Sequence, residues 1–340
     1  MPTKPPPIPI RKTQMANSSS PPAITASDIR KSFGENVVLE GVSFTVEEGT
    51  VFALLGPNGA GKTTMVRMMA TLLAADEGEI RVAGHDVARE ADAVRDAIGV
   101  TGQFSAIDEL LTGRENLGLM ADLNHLEAAD GRQRIDELLD RFELVEAADR
   151  MAMTYSGGMR RRLDLAMTLI GRPKIIFLDE PTTGLDPRSR RAVWAMVRSI
   201  VEEGITVFLT TQYLEEADKL ADRIAILDQG RLVAQGSAHE LKQRIPGGRI
   251  DLRFADTSSQ LAASGALDVE VRDDDDVLTL HIPTDGNVAT LRRVLRELDE
   301  AAVDVVDLAI HTPDLDDVFF ALTGRGDRAA TPGDPQELHR

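Results

Sequence analysis

The sequence has no cysteine, no run of 18 apolar residues and too little positive charge to offset its acid. Zero cysteines exclude disulfides and thiolate-held metals, and fit a chain working in a reducing cytoplasm. Without a long apolar run, nothing here crosses a bilayer as a helix. The net charge of −18, from 38 basic against 56 acidic residues, argues against nucleic acid as the main partner, because phosphate backbones attract basic surfaces. No heptad pattern is sustained, so no long coiled coil is expected. The first 22 residues hold seven prolines and a Ser-Ser-Ser tract but no apolar export segment. They read as a disordered tail.

What is present points to more than one domain. At 340 residues, 42% of them hydrophobic, the chain is long enough for about two domains with a sizeable core. The acidity is uneven. From Gly247 onward there are 9 basic and 20 acidic residues, net −11, leaving −7 for everything before. The last third is compositionally separate. The expected division is a tail over 1–22, a main domain over 23–246, an acidic accessory domain over 247–323 and a second tail over 324–340.

The most informative stretch is Gly56-Pro57-Asn58-Gly59-Ala60-Gly61-Lys62-Thr63-Thr64. An apolar run, Val51 to Leu55, precedes it and reads as a buried strand. Met65 to Ala70 follows and reads as a helix. Strand, glycine-rich loop, then a helix opening on Lys-Thr is the phosphate-binding loop. Its glycines let successive backbone N–H groups turn inward around a polyphosphate, and the helix adds a favourable field for the anion. Lys62 would reach the outer phosphates, and the Thr63 hydroxyl would serve a nucleotide-bound Mg²⁺. The chain therefore binds a nucleoside triphosphate.

Around this loop the chain alternates between strands and helices. Ile24 to Glu48 holds short alternating segments (Ile24–Ala26, Val37–Leu39, Val42–Val46) broken by Gly34, Gly41 and Gly49, a pattern of antiparallel strands. Phe33, just before a turn, is either core or ligand-facing. After a charged helical stretch over Ala88–Ala97, the strand Ile98–Thr101 leads to Gln103, either an ordinary loop amide or a carbonyl directed at Mg²⁺. Leu110 to Arg150 is helical by spacing. Tyr155-Ser156-Gly157-Gly158-Met159 opens a further helix, with Ser156 placed as its cap. That start suits an anion, and equally a capped surface helix with solvated arginines. Ile175 to Leu178 is a buried strand ending in Asp179 and Glu180. Adjacent carboxylates at a strand's end, in a nucleotide-binding domain, suggest Mg²⁺ for Asp179 and a base for Glu180. Gly184-Leu185-Asp186-Pro187 turns into an amphipathic helix, Arg190 to Val201. Ile205 to Thr211 is another buried strand, ending at Gln212 before a helix over Leu214–Leu220. A hairpin follows, Ile224–Leu227 with Leu232–Ala234. Strands and helices alternating about one phosphate loop predict a doubly wound α/β core.

Past Pro246 the order changes. It runs from strand Ile250–Phe254 to helix Ser258–Ala266, then strands Val269–Val271 and Val277–Ile282. A helix over Val288–Leu298, with Leu291, Val294, Leu295 and Leu298 on one face, precedes strand Val303–Ile310 and helix Leu315–Leu322. That β-α-β-β-α-β order predicts a ferredoxin-like α+β unit.

Taken together and in this order, five stretches resemble the ATP-binding subunit of an ABC transporter over roughly Ile24 to Glu240. They are the phosphate loop, Gln103 as Q-loop, the Ser-Gly-Gly signature at Tyr155–Met159, the Asp179-Glu180 pair and the Gly184-Leu185-Asp186 D-loop. The resemblance implies an ABC-type P-loop fold: an antiparallel β subdomain, a parallel core and a helical subdomain. It makes Phe33 the adenine-stacking aromatic, where the family usually has Tyr. It also makes Gln212 the occupant of the switch position that usually holds histidine. A glutamine donates a hydrogen bond but does not titrate, so slow ATP turnover is expected. The signature's usual Leu and Gln are Tyr155 and Met159 here, while Ser156 and both glycines are intact. Tyr-Ser-Gly-Gly-Met-Arg-Arg-Arg, Thr-Thr-Gln-Tyr-Leu-Glu-Glu-Ala-Asp and the terminal Leu315 to Leu322 are similar to a narrower group, the daunorubicin-resistance exporter ATPases. These energise a separate permease to expel antibiotics or complex lipids, and carry an extra C-terminal domain.

By that resemblance two copies sandwich two ATPs. Each ATP is held by Lys62 and Thr63 of one copy and closed over by Ser156 and Gly158 of the other. Glu180 polarises the attacking water, and Thr63, Gln103 and Asp179 serve Mg²⁺. The implied partners are a multi-helix permease and a second copy of the chain, with no nucleic acid, at the cytoplasmic face of the membrane. The helical stretch after Gln103, beginning Phe104 to Leu117, would carry motion to the permease. The rival is a cassette that never meets a membrane, such as one acting on ribosomes or DNA repair. Those usually bring two cassettes per chain, a coiled coil or zinc cysteines, none of which this chain has.

Overall fold

The structure is a computed structural model that describes residues 21–102, 106–244, 248–269, 278–284, 288–311 and 314–323. The chain divides into two compact units, residues 1–238 and 239–340.

In the first unit, β1 (Ile24–Phe33) and β2 (Asn36–Val46) pair antiparallel as two long strands. The expected breaks inside them are bulges. Register shifts at Ala26/Ile29 and Lys31/Ser32, together with Gly41 inside β2, bend the ladder without ending it. The strand β3 (Val51–Leu55) is buried along its whole length and delivers the phosphate loop to α1 (Lys62–Met69). Next come β4 (Glu77–Val82) and β5 (His85–Asp86), which complete a four-stranded antiparallel sheet ordered β2-β1-β4-β5. The helix α2 (Ala91–Ala97) starts later than its charged stretch suggests. The Asp86 carboxylate takes the backbone N–H groups of Ala88 and Arg89 at 2.9 and 3.1 Å, which holds those residues in a turn.

After β6 (Ile98–Thr101), the helical region is α3 (Gly113–Leu123) and α4 (Ala128–Arg141). Of the helix expected from Phe104, residues 104 and 105 lie outside the described residues, residues 106–112 are not helical, and the helix begins at Gly113. Thr112 and Glu115 form a capping box there, and buried Asn116 fixes Asp108 through both its N–H and its C=O, keeping the approach non-helical. Then follow α5 (Gly157–Thr168), β7 (Ile175–Asp179), α6 (Pro187–Glu202), β8 (Thr206–Thr211), α7 (Leu214–Leu220), β9 (Arg223–Asp228) and β10 (Arg231–Gly236).

The six-stranded sheet is ordered β10-β9-β3-β8-β7-β6, parallel except at β10. Its interior strands read as largely apolar runs because they are covered by helices and, over Phe52 and Phe208, by Phe44 of the antiparallel sheet. Four phenylalanines join this sheet to the antiparallel one. Phe44 of β2 lies 5.3 Å from Phe52 and 5.7 Å from Phe208, and Phe208 lies 5.8 Å from Phe177. Such pairs contribute about 0.5–1.5 kcal/mol each beyond the area they bury.

Within the second unit, β11 (Gly248–Arg253), β12 (Thr279–Thr284) and β13 (Asp307–His311) form a sheet ordered β12-β11-β13, antiparallel throughout. The short α8 (Ala238–Lys242) precedes it; α9 (Thr257–Leu267), α10 (Val288–Glu300) and α11 (Leu315–Thr323) complete it. Ile250 and Leu252 alternate with Asp251 and Arg253, and only the apolar pair joins the core with Phe254, Ala263, Val294 and Leu298. The three strands occupy the first, third and fourth places of a ferredoxin-like sheet. Of the expected second strand, Val269 is in no strand and residues 270–277 lie outside the described residues. The last strand starts at Asp307 rather than Val303. The core face of α10 is narrower than its spacing suggests: Leu291, Val294 and Leu298 pack inward, whereas Leu295 is exposed. Both expected tails lie outside the described residues, except for Pro21 and Pro22. Among the described residues no helix is long and apolar enough to cross a membrane.

Candidate nucleotide-binding site

The phosphate loop leaves the carboxyl end of β3 between two neighbouring strands, β8 and β9, where open α/β sheets place their ligands. Two glycines are required by the backbone. A Cβ on Gly56 would stand 2.2 Å from the Leu227 carbonyl oxygen, and Gly61 sits at φ 107 with Leu39 2.7 Å from where its Cβ would be. Pro57 is half-buried, Ala60 buried and Asn58 and Gly59 exposed. Ala60 N–H closes the loop onto the Pro57 carbonyl at 3.2 Å, and Gly56 N–H ties it to the Thr211 carbonyl at 3.1 Å. Lys62 is 4% exposed. Its ammonium donates to the carbonyls of Gly56 at 2.8 Å and Pro57 at 3.1 Å, and lies 3.3 Å from Glu180 Oε1. The Lys62 cation is thus held by the loop and by the Glu180 carboxylate. Thr63 is exposed and Thr64 half-buried, on the first turn of α1.

Asp179 and Glu180 end β7 differently. Asp179 is buried and accepts a hydrogen bond from the Thr210 hydroxyl. Glu180 turns out of the strand at φ 51, a left-handed backbone that costs a non-glycine residue of order 1–3 kcal/mol. Its N–H is held by the Thr210 carbonyl and hydroxyl, each at 3.1 Å, and its Oε2 accepts from the Thr183 hydroxyl at 3.3 Å. That backbone turn brings the carboxylate to Lys62. Thr210 and Thr183 were not singled out from the sequence. The visible signal for Thr210 is a hydroxyl pair, Thr210-Thr211, closing the apolar run Val207–Leu209, with Thr210 directly opposite Asp179 in register.

Gln212 follows β8 directly and is half-buried. The Arg190 guanidinium stacks over the ring of its neighbour Tyr213 at 5.1 Å, holding the segment against α6. Phe33 is not core: it is 51% exposed at the end of β1, with the Lys31 ammonium 5.4 Å from its ring centroid. One exposed ring on a charged support leaves a face on which a flat base could stack. Gln103 lies outside the described residues, just beyond the end of β6.

The signature turn caps α5 as expected, Ser156 Oγ accepting from Met159 N–H at 3.3 Å. Ser156 and Gly157 are exposed, Gly158 and Met159 half-buried. Tyr155 faces the other way. It is buried, its hydroxyl donates to the Ala147 carbonyl at 2.6 Å, and burial raises its pKa, so it anchors the turn from inside the helical region. Asp186 caps α6, accepting from Arg188 N–H, Ser189 N–H and the Ser189 hydroxyl at 2.9, 3.0 and 2.6 Å. Those bonds, the Ser189 hydroxyl first, hold its carboxyl below the ordinary value. Ser189 also abuts Gly158, whose added Cβ would meet its hydroxyl at 2.8 Å, so signature and D-loop touch within one chain. Among the described residues no hydrogen bond or ion pair joins residues 155–159 to residues 56–64.

No three His, Asp or Glu side chains gather as a metal cluster among the described residues. The donors at hand are one hydroxyl, Thr63, and one carboxylate, Asp179. That set fits a hard cation carrying phosphate oxygens and waters of its own, and fits a soft one poorly.

Residues 39–183 match the family model described as ABC transporter. The chain is 51% identical over 303 residues to the daunorubicin resistance ATP-binding protein DrrA3 of Streptomyces coeruleorubidus, covering 89% of this chain and 96% of that protein. It is 46% identical to the daunorubicin/doxorubicin resistance protein DrrA of Streptomyces peucetius, over 91% and 94%. It is 34% identical to the linearmycin resistance protein LnrL of Bacillus subtilis, over 89% and 98%. Among solved structures, a nucleotide-free ATP-binding cassette from an ABC transporter superposes with TM-score 0.58 at 27% identity, covering 64% of this chain and 91% of that one. A cassette in its ADP conformation gives 0.59 at 26%, covering 65% and 93%.

Proposed function

The chain belongs to the ATP-binding proteins of ABC transporters, and from that premise we propose that it is the ATP-hydrolysing subunit of an exporter that expels antibiotics or complex lipids through a separate membrane permease. The observation that carries the hydrolytic part is Lys62, buried between two phosphate-loop carbonyls and Glu180. A triphosphate entering the loop offers that ammonium better acceptors than two neutral carbonyls, and releases Glu180 toward solvent.

The residues divide the work. Phe33 stacks the base, and the loop from Gly56 to Thr64 wraps the phosphates with its N–H groups. Glu180, held by Thr210 and Thr183, orients and deprotonates water, while Gln212 donates to the outer phosphate. Thr63, Asp179 and Gln103 would hold Mg²⁺, which supplies charge neutralisation on the phosphates when bound. Among the described residues no hydrogen bond or ion pair joins the Ser156 turn to its own chain's phosphate loop. That supports a homodimer in which each signature closes over the other copy's nucleotide, so ATP joins the copies and hydrolysis parts them. The accessory domain, taken as residues 247–323, supports that dimer or its coupling to the permease. The complex works at the cytoplasmic face of the membrane, without nucleic acid.

The test is capture of tagged Glu180→Gln protein with MgATP from detergent-solubilised host membranes. Recovery of a multi-helix permease in equal amount is expected. Recovery of ribosomes or repair factors in its place would overturn the export reading and leave the ATPase standing.

A further inference from the structure

Among the buried charges that the proposed chemistry does not use, one sits where the motif-bearing elements meet. Glu216 of α7 is completely buried. Its Oε1 accepts from the indole N–H of Trp194 on α6 at 3.1 Å. The hydroxyls of Thr182 and Thr211 face its carboxyl, and the half-buried Arg161 of α5 lends it positive charge. Even so, Oε2 of Glu216 and Oγ1 of Thr182 are each left without a hydrogen-bond partner of good geometry. The Thr182 hydroxyl carries a proton and the carboxyl oxygen can accept it, so the two unpaired groups are complementary, and leaving them unpaired is costly. Burial, the largest influence on this carboxyl, raises its pKa and favours the protonated form.

The surrounding residues give the carboxyl its significance. Thr182 lies two residues after Glu180, whose left-handed backbone persists only if its surroundings fix it from both sides. Thr210 does so from before, and Thr182 follows. Thr211 immediately precedes Gln212, and its carbonyl receives the first N–H of the phosphate loop. Arg161, for its part, is paired with Asp164 at 2.7 Å on the signature helix.

We infer that Glu216 is a positioning residue, one that never meets nucleotide but fixes Glu180 and Gln212 relative to each other by joining the loop after Glu180, the end of β8 and α6 through a single side chain. The inference rests on the hydrolytic roles proposed above for Glu180 and Gln212. It supplies what those roles lack, a reason that two residues on different strands hold a common geometry about one phosphate.

The sequence contains one tryptophan, Trp194, and it is bonded to this carboxyl, so intrinsic fluorescence of the full chain reports on the site directly. MgATP is expected to shift Trp194 emission in the unmodified protein. Glu216→Ala is expected to lose that shift while still binding nucleotide, and to lose about ten- to a hundredfold in kcat with little change in KM, the penalty of a small misplacement. Glu216→Gln, a neutral group able to donate to Thr182 and accept from Trp194, is expected to recover most of the rate. If Glu216→Ala does not fold, Thr182→Val reads the same node from its other side, with the same loss confined to kcat. An unshifted emission with nucleotide bound, an unchanged kcat in Glu216→Ala or Thr182→Val, or a Glu216→Gln no better than Glu216→Ala would each overturn the inference. Lys62→Ala separates the two levels. Inactive Lys62→Ala beside fully active Glu216→Ala overturns this inference alone, whereas active Lys62→Ala overturns the site reading beneath it.

Discussion

On the proposed reading, Gln212 is the residue that sets the rate of this site. An amide at the outer phosphate supplies one neutral donor and no proton exchange, where an imidazole supplies both. Gln212→His is therefore expected to raise steady-state ATPase several-fold to about tenfold, and to introduce a pH dependence near the imidazole range, about 6.5. A phosphate-release assay across pH checks both, and a wild-type rate equal to ordinary cassettes would remove the premise. Glu216 makes a second expectation at this scale, on stability. Its folded pKa lies above its ordinary value of 4.5. Below 4.5 the group is protonated both folded and unfolded, and contributes no pH dependence. As pH rises, the unfolded chain ionises first, so this residue lowers stability through that window until the folded group ionises too. Glu216→Gln should then gain melting temperature relative to wild type at about pH 8 more than at about pH 4, as thermal denaturation at the two values would show.

Elements were legible where period and punctuation agreed. The strands β3, β7 and β8 were plain as apolar runs, the phosphate loop by its glycines, and the α5 cap by Ser156. The misses have local causes that period does not carry. Asp86 and Asn116 divert backbone by side-chain bonds and shift the starts of α2 and α3. A bulged strand absorbs Gly41, which looked like a turn. Nor does spacing reveal the left-handed turn at Glu180, because a sequence gives no sign that a glutamate will take a backbone suited to glycine. The contact between α5 and α6 was equally invisible, since Gly158 and Ser189 are 31 positions apart in the chain. It yields an expectation at this scale. Gly158→Ala should push the Ser189 hydroxyl off Asp186 and loosen the D-loop cap, lowering kcat about tenfold while nucleotide affinity holds. Full kcat in Gly158→Ala, with nucleotide affinity intact by equilibrium binding, would show that the contact is packing alone.

At the scale of the whole molecule, two units with separate cores should unfold in two transitions rather than one. On the proposed reading, nucleotide binds in the first unit. MgATP at a hundred times its Kd should stabilise that unit by about 2.7 kcal/mol and leave the other transition where it was, and calorimetry of the full chain distinguishes this from a single concerted shift. On the same reading the nucleotide site within the first unit draws on two sheets. Phe33 belongs to the antiparallel one, whereas the phosphate loop hangs from the parallel one. The packed rings of Phe44, Phe52, Phe208 and Phe177 join those sheets, together with the Glu40 N–H bond to the Gly230 carbonyl. They act as the screw of a calliper whose jaws close on a base at one tip and a polyphosphate at the other. A change at Phe44, in a core that no nucleotide ever touches, would alter the length of ligand this protein can measure.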